Sequence, residues 1–259
     1  MHDSNNYKPL ISIIMNCYNS EMFLKDAIGS VIRQTYKNWE IIFWDNNSSD
    51  NSSKIIDSLN NKKIKYFYSP LNEPLYTARN RAIEKCKGEF ISFLDCDDLW
   101  NKEKLEIQVN LASEGHEIIF GGYQVIDRNS NLYEKVVRKE DNSFLTNQLL
   151  LKNNISIGTI FIKTKILSEN KFDEKFNLLG DFDLWIRLSM KYKFKNIKKI
   201  LEFSRIHSNN LSKKETYISW LNEKRYFYKK ILKKAPLSNY VNIFIFIFVT
   251  ELKGFLKIR

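Results

Sequence analysis

The chain has 259 residues, 43% hydrophobic and 14% aromatic, enough to bury a substantial core and too many for a minimal binding module. Forty-one Lys and Arg against 30 Asp and Glu leave a net charge of +11, which favours anionic partners (nucleotides, phospholipid surfaces or nucleic acid) without choosing among them. Cys17, Cys86 and Cys96 form no C-x-x-C pair and are odd in number, which argues against a zinc cage or a disulfide framework and fits a reducing cytoplasm.

The first six residues lack a basic region followed by a long apolar stretch, so they do not read as a secretory signal, and the chain is expected to be cytoplasmic. Leu10 to Met15 is a short β-branched run ending in the turn-prone Asn16-Cys17-Tyr18-Asn19, a buried strand followed by a loop. Leu24, Ala27, Ile28, Val31 and Ile32 then recur at helical spacing, with Ser20 as the expected N-cap. Glu40 to Trp44 is a second strand, Asp45 to Ser49 a polar loop, and Ile55, Ile56 and Leu59 mark a second helix beginning near Asp50. Ile64 to Tyr68 is a third strand. After the Pro70 to Pro74 loop, Ala78, Ala82 and Ile83 predict a third helix, stopped by Lys87-Gly88 before the strand Phe90 to Leu94. Strand and helix have then alternated four times, which predicts a Rossmann-like α/β fold: a doubly wound, mostly parallel sheet with helices on both faces and ligands at the carboxyl ends of strands.

The loops after Met15, Trp44 and Leu94 gather at that edge. The last of them carries Asp95, Asp97 and Asp98, and carboxylates this crowded repel one another unless a hard divalent cation such as Mg²⁺ or Mn²⁺ binds them. A diphosphate is the expected companion of that ion. Neither G-x-G-x-x-G nor G-x-x-x-x-G-K-[ST] occurs, which argues against a dinucleotide site and a P-loop.

Four segments in order, Ser12 to Asn19, Trp39 to Asp50, Ala78-Arg79-Asn80 and Gly88 to Asp98, resemble the inverting family-2 glycosyltransferases of the GT-A fold. The resemblance implies transfer of a sugar from a nucleotide-diphosphate donor, a UDP-sugar by preference, to a hydroxyl of a glycan or lipid-linked glycan in surface polysaccharide or lipopolysaccharide assembly. It implies that Asn16, Tyr18, Asp45 and Asn46 hold the nucleobase and ribose. Asn46 stands where the family usually has a second aspartate, and an amide both accepts and donates where a carboxylate only accepts. Arg79 would face the base or the diphosphate, or else form a surface ion pair. Asp95-Cys96-Asp97 matches the D-x-D position, with Asp95 near the ribose and Asp97 a metal ligand, while Asp98 supports the loop and Cys96 is a small spacer. In Leu179 to Leu188 the family's paired acidic motif is reduced to Gly180-Asp181, and Asp181 aligns with the catalytic base, with Asp183 as the substitute and helix capping as a compatible second role. Arg205 and His207 lie in a further similar segment, where Arg205 would approach the diphosphate and His207 would either join Asp97 on the metal or be structural. Ser156 to Phe161 is a looser match to an acceptor pocket.

By this reading residues 1–213 form the GT-A domain, with a nucleotide-binding half (1–114) and an acceptor-side half (115–213), and residues 214–259 a basic and apolar helical extension. The extension carries Lys224, Arg225, Lys229, Lys230, Lys233 and Lys234 before the apolar run from Val241 to Val249, which is shorter than the roughly 20 residues that span a bilayer. It could touch the cytoplasmic face of the inner membrane peripherally or pack on protein. Two other function classes are a basic nucleic-acid-binding protein, which the absence of a binding motif disfavours, and an inactive scaffold of the same fold, which the retained Asp95, Asp97 and Asp181 disfavour.

Overall fold

A computed structural model describes residues 7–138, 145–151 and 155–233, together with residue 244. The first half alternates as the sequence predicts: β1 (Ile11–Cys17), α1 (Glu21–Ile32), β2 (Trp39–Asp45), α2 (Ser52–Leu59), β3 (Ile64–Tyr68), α3 (Leu75–Ile83) and β4 (Phe90–Phe93). A two-residue β5 (Leu99–Trp100) and α4 (Lys104–Ser113) lead to β6 (Ile118–Ile126) and β7 (Leu132–Val136). Then come α5 (Thr146–Leu151), a 3-10 turn at Ile157–Thr159, β8 (Phe161–Lys163), α6 (Thr164–Glu169), α7 (Gly180–Ser189), β9 (Lys195–Arg205), α8 (Leu211–Lys214) and α9 (Tyr217–Leu232).

The sheet runs β3-β2-β1-β4-β8-β6-β9-β5, with β7 paired to β6. It is parallel from β3 to β4, as expected, and mixed beyond, where β8 runs antiparallel to β4 and β6 while β9 is parallel to β6. The registers Cys17↔Asp45 and Ile14↔Phe93 bring the carboxyl ends of β1, β2 and β4 to one edge.

The period-2 alternation of the strands divides the core. Ile11, Ile13 and Met15 of β1 with Trp39, Ile41 and Phe43 of β2 pack on the α1, α2 and α4 side. Ile14, Ile42 and Trp44 join Tyr76, Trp185 and Phe227 on the other, where α3, α7 and α9 lie.

Two local expectations are corrected. The Ser20 hydroxyl does not cap α1 but donates to the Tyr18 carbonyl. The first N–H of α1, from Glu21, goes to Asp50 Oδ2 at 2.9 Å, and Glu21 Oε2 in return accepts from the Asn51 N–H at 2.9 Å, so α1 and α2 cap one another. Gly88 does not stop α3, which ends five residues earlier at Ile83. A Cβ at Gly88 would meet the Ser12 nitrogen at 2.5 Å, so glycine is required there for close approach of two backbones.

In the extension, α9 packs on the domain through Leu221, Phe227, Tyr228 and Ile231. For residues 217–232, therefore, packing on protein is what the structure shows. The run from Val241 to Val249 lies outside the described residues, apart from Phe244. Among the described residues no helix is long and apolar enough to cross a membrane.

Candidate active site at the carboxyl edge of the sheet

The loop after β4 places its three aspartates in different surroundings. Asp95 receives a 2.9 Å ion pair from Arg79 of α3 and keeps 40% of its side chain exposed. Asp97 Oδ2 lies 2.9 Å from His207 Nε2 and accepts from Asn210 Nδ2 at 2.9 Å. Burial and the neighbouring Asp95 raise the Asp97 carboxyl above its ordinary range, and His207 opposes the rise. Asp98 is buried and accepts the Arg205 backbone N–H at 2.6 Å, and burial, with Asp97 and Glu202 nearby, pushes its carboxyl well up. Its contacts are those of a loop support.

His207 Nδ1 accepts the Asn209 N–H at 3.1 Å, so in the neutral ring the proton sits on Nε2 and is donated to Asp97. In this tautomer Asp97 alone offers lone pairs to a divalent cation; His207 would join it through Nε2 only with the proton moved to Nδ1 and the Asn209 N–H released. Among the described residues no group of three His, Cys, Asp or Glu gathers as a metal site. One or two carboxylates plus substrate phosphates is the common pattern for Mg²⁺.

Arg205 is mostly committed to the protein, with its second terminal nitrogen buried without a protein partner. It is 3% exposed, with Nε on the Asp97 carbonyl at 2.8 Å and one terminal nitrogen on the Asp127 and Arg128 carbonyls and the Ser130 hydroxyl. Its guanidinium covers the Phe23 ring at 4.6 Å, and the same ring packs on His207 at 5.0 Å. Arg205 thus ties the aspartate loop to the β6–β7 turn from beneath.

The expected base pocket is equally committed to internal bonds. Asp45, 1% exposed, accepts the Ser48 N–H at 2.8 Å and the Tyr66 hydroxyl at 2.7 Å. Asn46 donates to the Glu73 carbonyl at 2.7 Å and to Asn72 Oδ1 at 2.9 Å while accepting the Glu73 N–H at 3.1 Å. A carboxylate could not make the first two bonds, which gives the asparagine a structural reason. Asn16 is different: its Nδ2 is buried without a protein partner. Tyr18 is 51% exposed on the same edge. Cys17 and Cys96 lie beside each other below, Cys96 donating to the Asn16 carbonyl at 3.4 Å, and the Cys17 thiol is lowered to about 7 chiefly by its hydrogen bond with Cys96.

Asp181 opens α7, half-buried, with Oδ1 on the Phe182 N–H at 2.7 Å. Burial raises its carboxyl, opposed by Arg79 and that N–H. Arg79, 4% exposed, is no surface arginine: its guanidinium stacks on Tyr76 at 5.4 Å while pairing with Asp95, so α3 links the aspartate loop to the start of α7. Asp183 is unsuited to replace Asp181, because it is buried and held by Arg187 at 2.8 Å and Lys230 at 2.8 Å. Residues 157–161 are buried in the core, which removes all but Ser156 from an open acceptor pocket.

Sequence reading alone did not assign Asn210, Tyr76 or Glu223. Asn210 stands inside the segment around His207 and Tyr76 one helical turn from Arg79, so both had a local signal. Glu223 had none. From α9 it accepts the backbone N–H groups of Asn177, Leu178 and Leu179 at 2.7–3.1 Å, immediately before α7.

Comparison with known proteins bears directly on this edge. The family model for glycosyl transferase family 2 matches residues 12–169, which include Asn16, Asp45, Arg79, Asp95 and Asp97 but end before Asp181 and His207. An uncharacterised Haemophilus influenzae glycosyltransferase is 36% identical over 63% of this chain and 66% of its own length. The Escherichia coli UDP-Glc:α-D-GlcNAc-diphosphoundecaprenol β-1,3-glucosyltransferase WfgD is 34% identical over 69% of each chain. The chain thus spans about two thirds of these relatives, and 31% of a Rickettsia bellii glycosyltransferase. In fold it is similar to Staphylococcus aureus TarS 1–349 solved with UDP-GlcNAc, with a TM-score of 0.71 at 21% identity over 90% of this chain and 69% of that one. The mannosyltransferase PcManGT of Pyrobaculum calidifontis, solved with GDP-Man and Mn²⁺, gives a TM-score of 0.66 at 15% identity over 89% of this chain and 66% of that one. With the family matched over more than half its length and the sheet already described, the chain belongs to the family-2 glycosyltransferases of the GT-A fold.

Proposed function

We propose that the chain transfers a sugar, with inversion, from a nucleotide-diphosphate donor to a hydroxyl of a glycan or lipid-linked glycan, using a divalent cation. The observation that carries this reading is the convergence on one edge of Asp97 beside His207, a carboxylate and an imidazole that would together hold a cation, and a separate carboxylate, Asp181, reached through Arg79 and Tyr76. Asn16, with its unpartnered amide, and the exposed Tyr18 flank the nucleoside end, and Asp95, fixed by Arg79, faces the ribose. Asp45 and Asn46 shape that pocket through the loops they hold.

Asp181 takes the proton of the acceptor hydroxyl as its oxygen attacks the anomeric carbon. The bond from that carbon to the β-phosphate oxygen breaks, and the nucleoside diphosphate leaves with the electron pair. Attack opposite the leaving group inverts the centre in a single displacement. Burial favours Asp181 as a base, because a carboxylate that is costly to keep charged accepts a proton more readily. A cation held by Asp97 and His207 would supply charge stabilisation for the departing diphosphate. Arg205 keeps the Asp97 backbone in place.

A UDP-sugar is favoured because WfgD acts on UDP-Glc and TarS binds UDP-GlcNAc, and a lipid-linked acceptor is supported by WfgD, whose acceptor is an α-D-GlcNAc-diphosphoundecaprenol. Such an acceptor would favour work at the cytoplasmic face of the inner membrane, in surface polysaccharide assembly, with the exposed Lys229 of α9 and Lys233 just beyond it facing solvent.

Thermal shifts with a panel of sugar nucleotides and Mn²⁺ test the donor. A ligand at about 100 times its Kd adds about 2.7 kcal/mol, so one UDP-sugar should raise the melting temperature selectively. Asp97→Ala should lose the Mn²⁺-dependent part of that shift and Asp181→Asn should keep it, with transfer abolished in both. Wild-type rates in both folded variants would overturn the assigned roles.

A further inference from the structure

We propose that Tyr76 is a positioning residue for Asp181, its phenol filling the space that any side chain at position 180 would need and steadying the carboxylate of the next residue. The inference rests on the reading of Asp181 as the base. A Cβ built on Gly180 would lie 2.5 Å from Tyr76 Cε2 and 2.6 Å from Cδ2 and Cζ, well inside the closest approach of real carbon atoms. The ring cannot yield, since it is 2% exposed and stacked on Phe172 at 5.3 Å. Tyr76 and Gly180 are therefore a matched pair: the ring reaches the start of α7 only because position 180 has no side chain.

At the start of α7 the hydroxyl lies 3.2 Å from the Leu178 carbonyl and 3.4 Å from Asp181 Oδ1, so one proton is shared between the turn that leads into α7 and the carboxylate on it. The ring also carries the Arg79 guanidinium at 5.4 Å, which holds Asp95 as well. The groups facing Asp181 are thus Tyr76 and Arg79 from α3, Asp95 from the loop after β4 and the Phe182 N–H of α7 itself, while Glu223 of α9 engages the N–H groups of residues 177–179. Burial and Asp95 disfavour the ionised carboxylate, and Arg79, the Phe182 N–H and the Tyr76 hydroxyl favour it. Removing the hydroxyl leaves Asp181 both less fixed and harder to ionise.

Tyr76→Phe keeps the ring and deletes one oxygen. In a variant shown by thermal unfolding to be folded, kcat should fall about three- to tenfold, the scale of one modest hydrogen bond, with the donor KM unchanged. A base must be ionised to act, so the acid limb of the pH–rate profile should move to higher pH, which a residue that merely fills the core would not cause. The matched pair is tested by a double-mutant cycle. Gly180→Ala should lower the melting temperature when Tyr76 is present and do so far less in a Tyr76→Ala background. An unmoved acid limb with wild-type kcat in Tyr76→Phe, or an equal Gly180→Ala penalty in both backgrounds, overturns the proposal. Full activity in Asp181→Asn would instead remove the base assignment itself, whereas an inactive Asp181→Asn beside an unchanged Tyr76→Phe removes only the role of Tyr76.

Discussion

The two sides of the proposed site, one assigned to the donor and one to the acceptor, are built differently. On the donor side, Asn16, Asp45, Asp95 and Asp97 follow three neighbouring parallel strands whose registers end together, so the sheet that forms the core also assembles the loops. On the acceptor side, Asp181 stands on a helix whose start is held by groups distant in sequence, Tyr76 of α3 and Glu223 of α9. The donor side is thus set by strand order, the acceptor side by a few tertiary contacts that a single substitution can undo.

The largest break in this contrast is expected at Glu223. Its carboxylate accepts from three consecutive N–H groups and is 9% exposed. Truncation leaves those donors without their charged acceptor, and losing it for three part-buried N–H groups costs about 2–4 kcal/mol. Glu223→Ala should therefore lower the melting temperature by several degrees and reduce kcat. Under conditions where the variant remains folded, its thermal shift with the UDP-sugar should match wild type, because Asp45, Asp95 and Asp97 are held by partners outside α9. Parallel loss of donor binding and turnover would show that the two sides are not separable.

Asn46→Asp is the corresponding change on the donor side and should be smaller. The carboxylate would face the Glu73 carbonyl at the distance where the amide now donates, 2.7 Å, and would lose that bond and the one to Asn72. A cost of about 1–3 kcal/mol is expected, read as a lower melting temperature and a raised donor KM with little change in kcat. A variant with wild-type stability would show that the loop at residues 72–73 is held by other contacts.

The same contrast decides what could be read from the residues alone. The strands of the first half and the position of Asp95 and Asp97 follow from apolar runs and turn residues, because a parallel strand buried on both faces is a local pattern. Residues that act through distant partners carried no such signal. The resemblance assigns Asp45 and Asn46 to the nucleoside, but the bonds that hold them come from Tyr66 and Glu73 on the next strand and loop, which no local pattern announces. Arg205 invited a phosphate reading, but its place on three main-chain carbonyls depends on the β6–β7 turn. Gly180 stood out in sequence as a missing carboxylate, and only the Tyr76 ring above it explains the glycine.

The smallest expected effect concerns the second tie between α9 and the acceptor side. Lys230 bridges Asp173 at 2.6 Å and Asp183 at 2.8 Å, and Tyr226 donates to Asp173 at 2.9 Å. Burial pushes the Asp173 carboxyl up, but the Lys230, Lys175 N–H and Tyr226 hydrogen bonds outweigh it and leave the group below its ordinary range. A carboxylate whose folded pKa lies below its unfolded value, about 3.9, contributes stability that is present above that value and is lost as pH falls through the folded one. Asp173→Asn should therefore melt below wild type at pH 7. The gap should begin to close under about pH 4, where the wild-type carboxylate takes up its own proton. A gap that persists unchanged into acid would mean that Asp173 holds α9 through its shape and neutral hydrogen bonds rather than its charge, leaving Glu223 as the charged clamp on the start of α7.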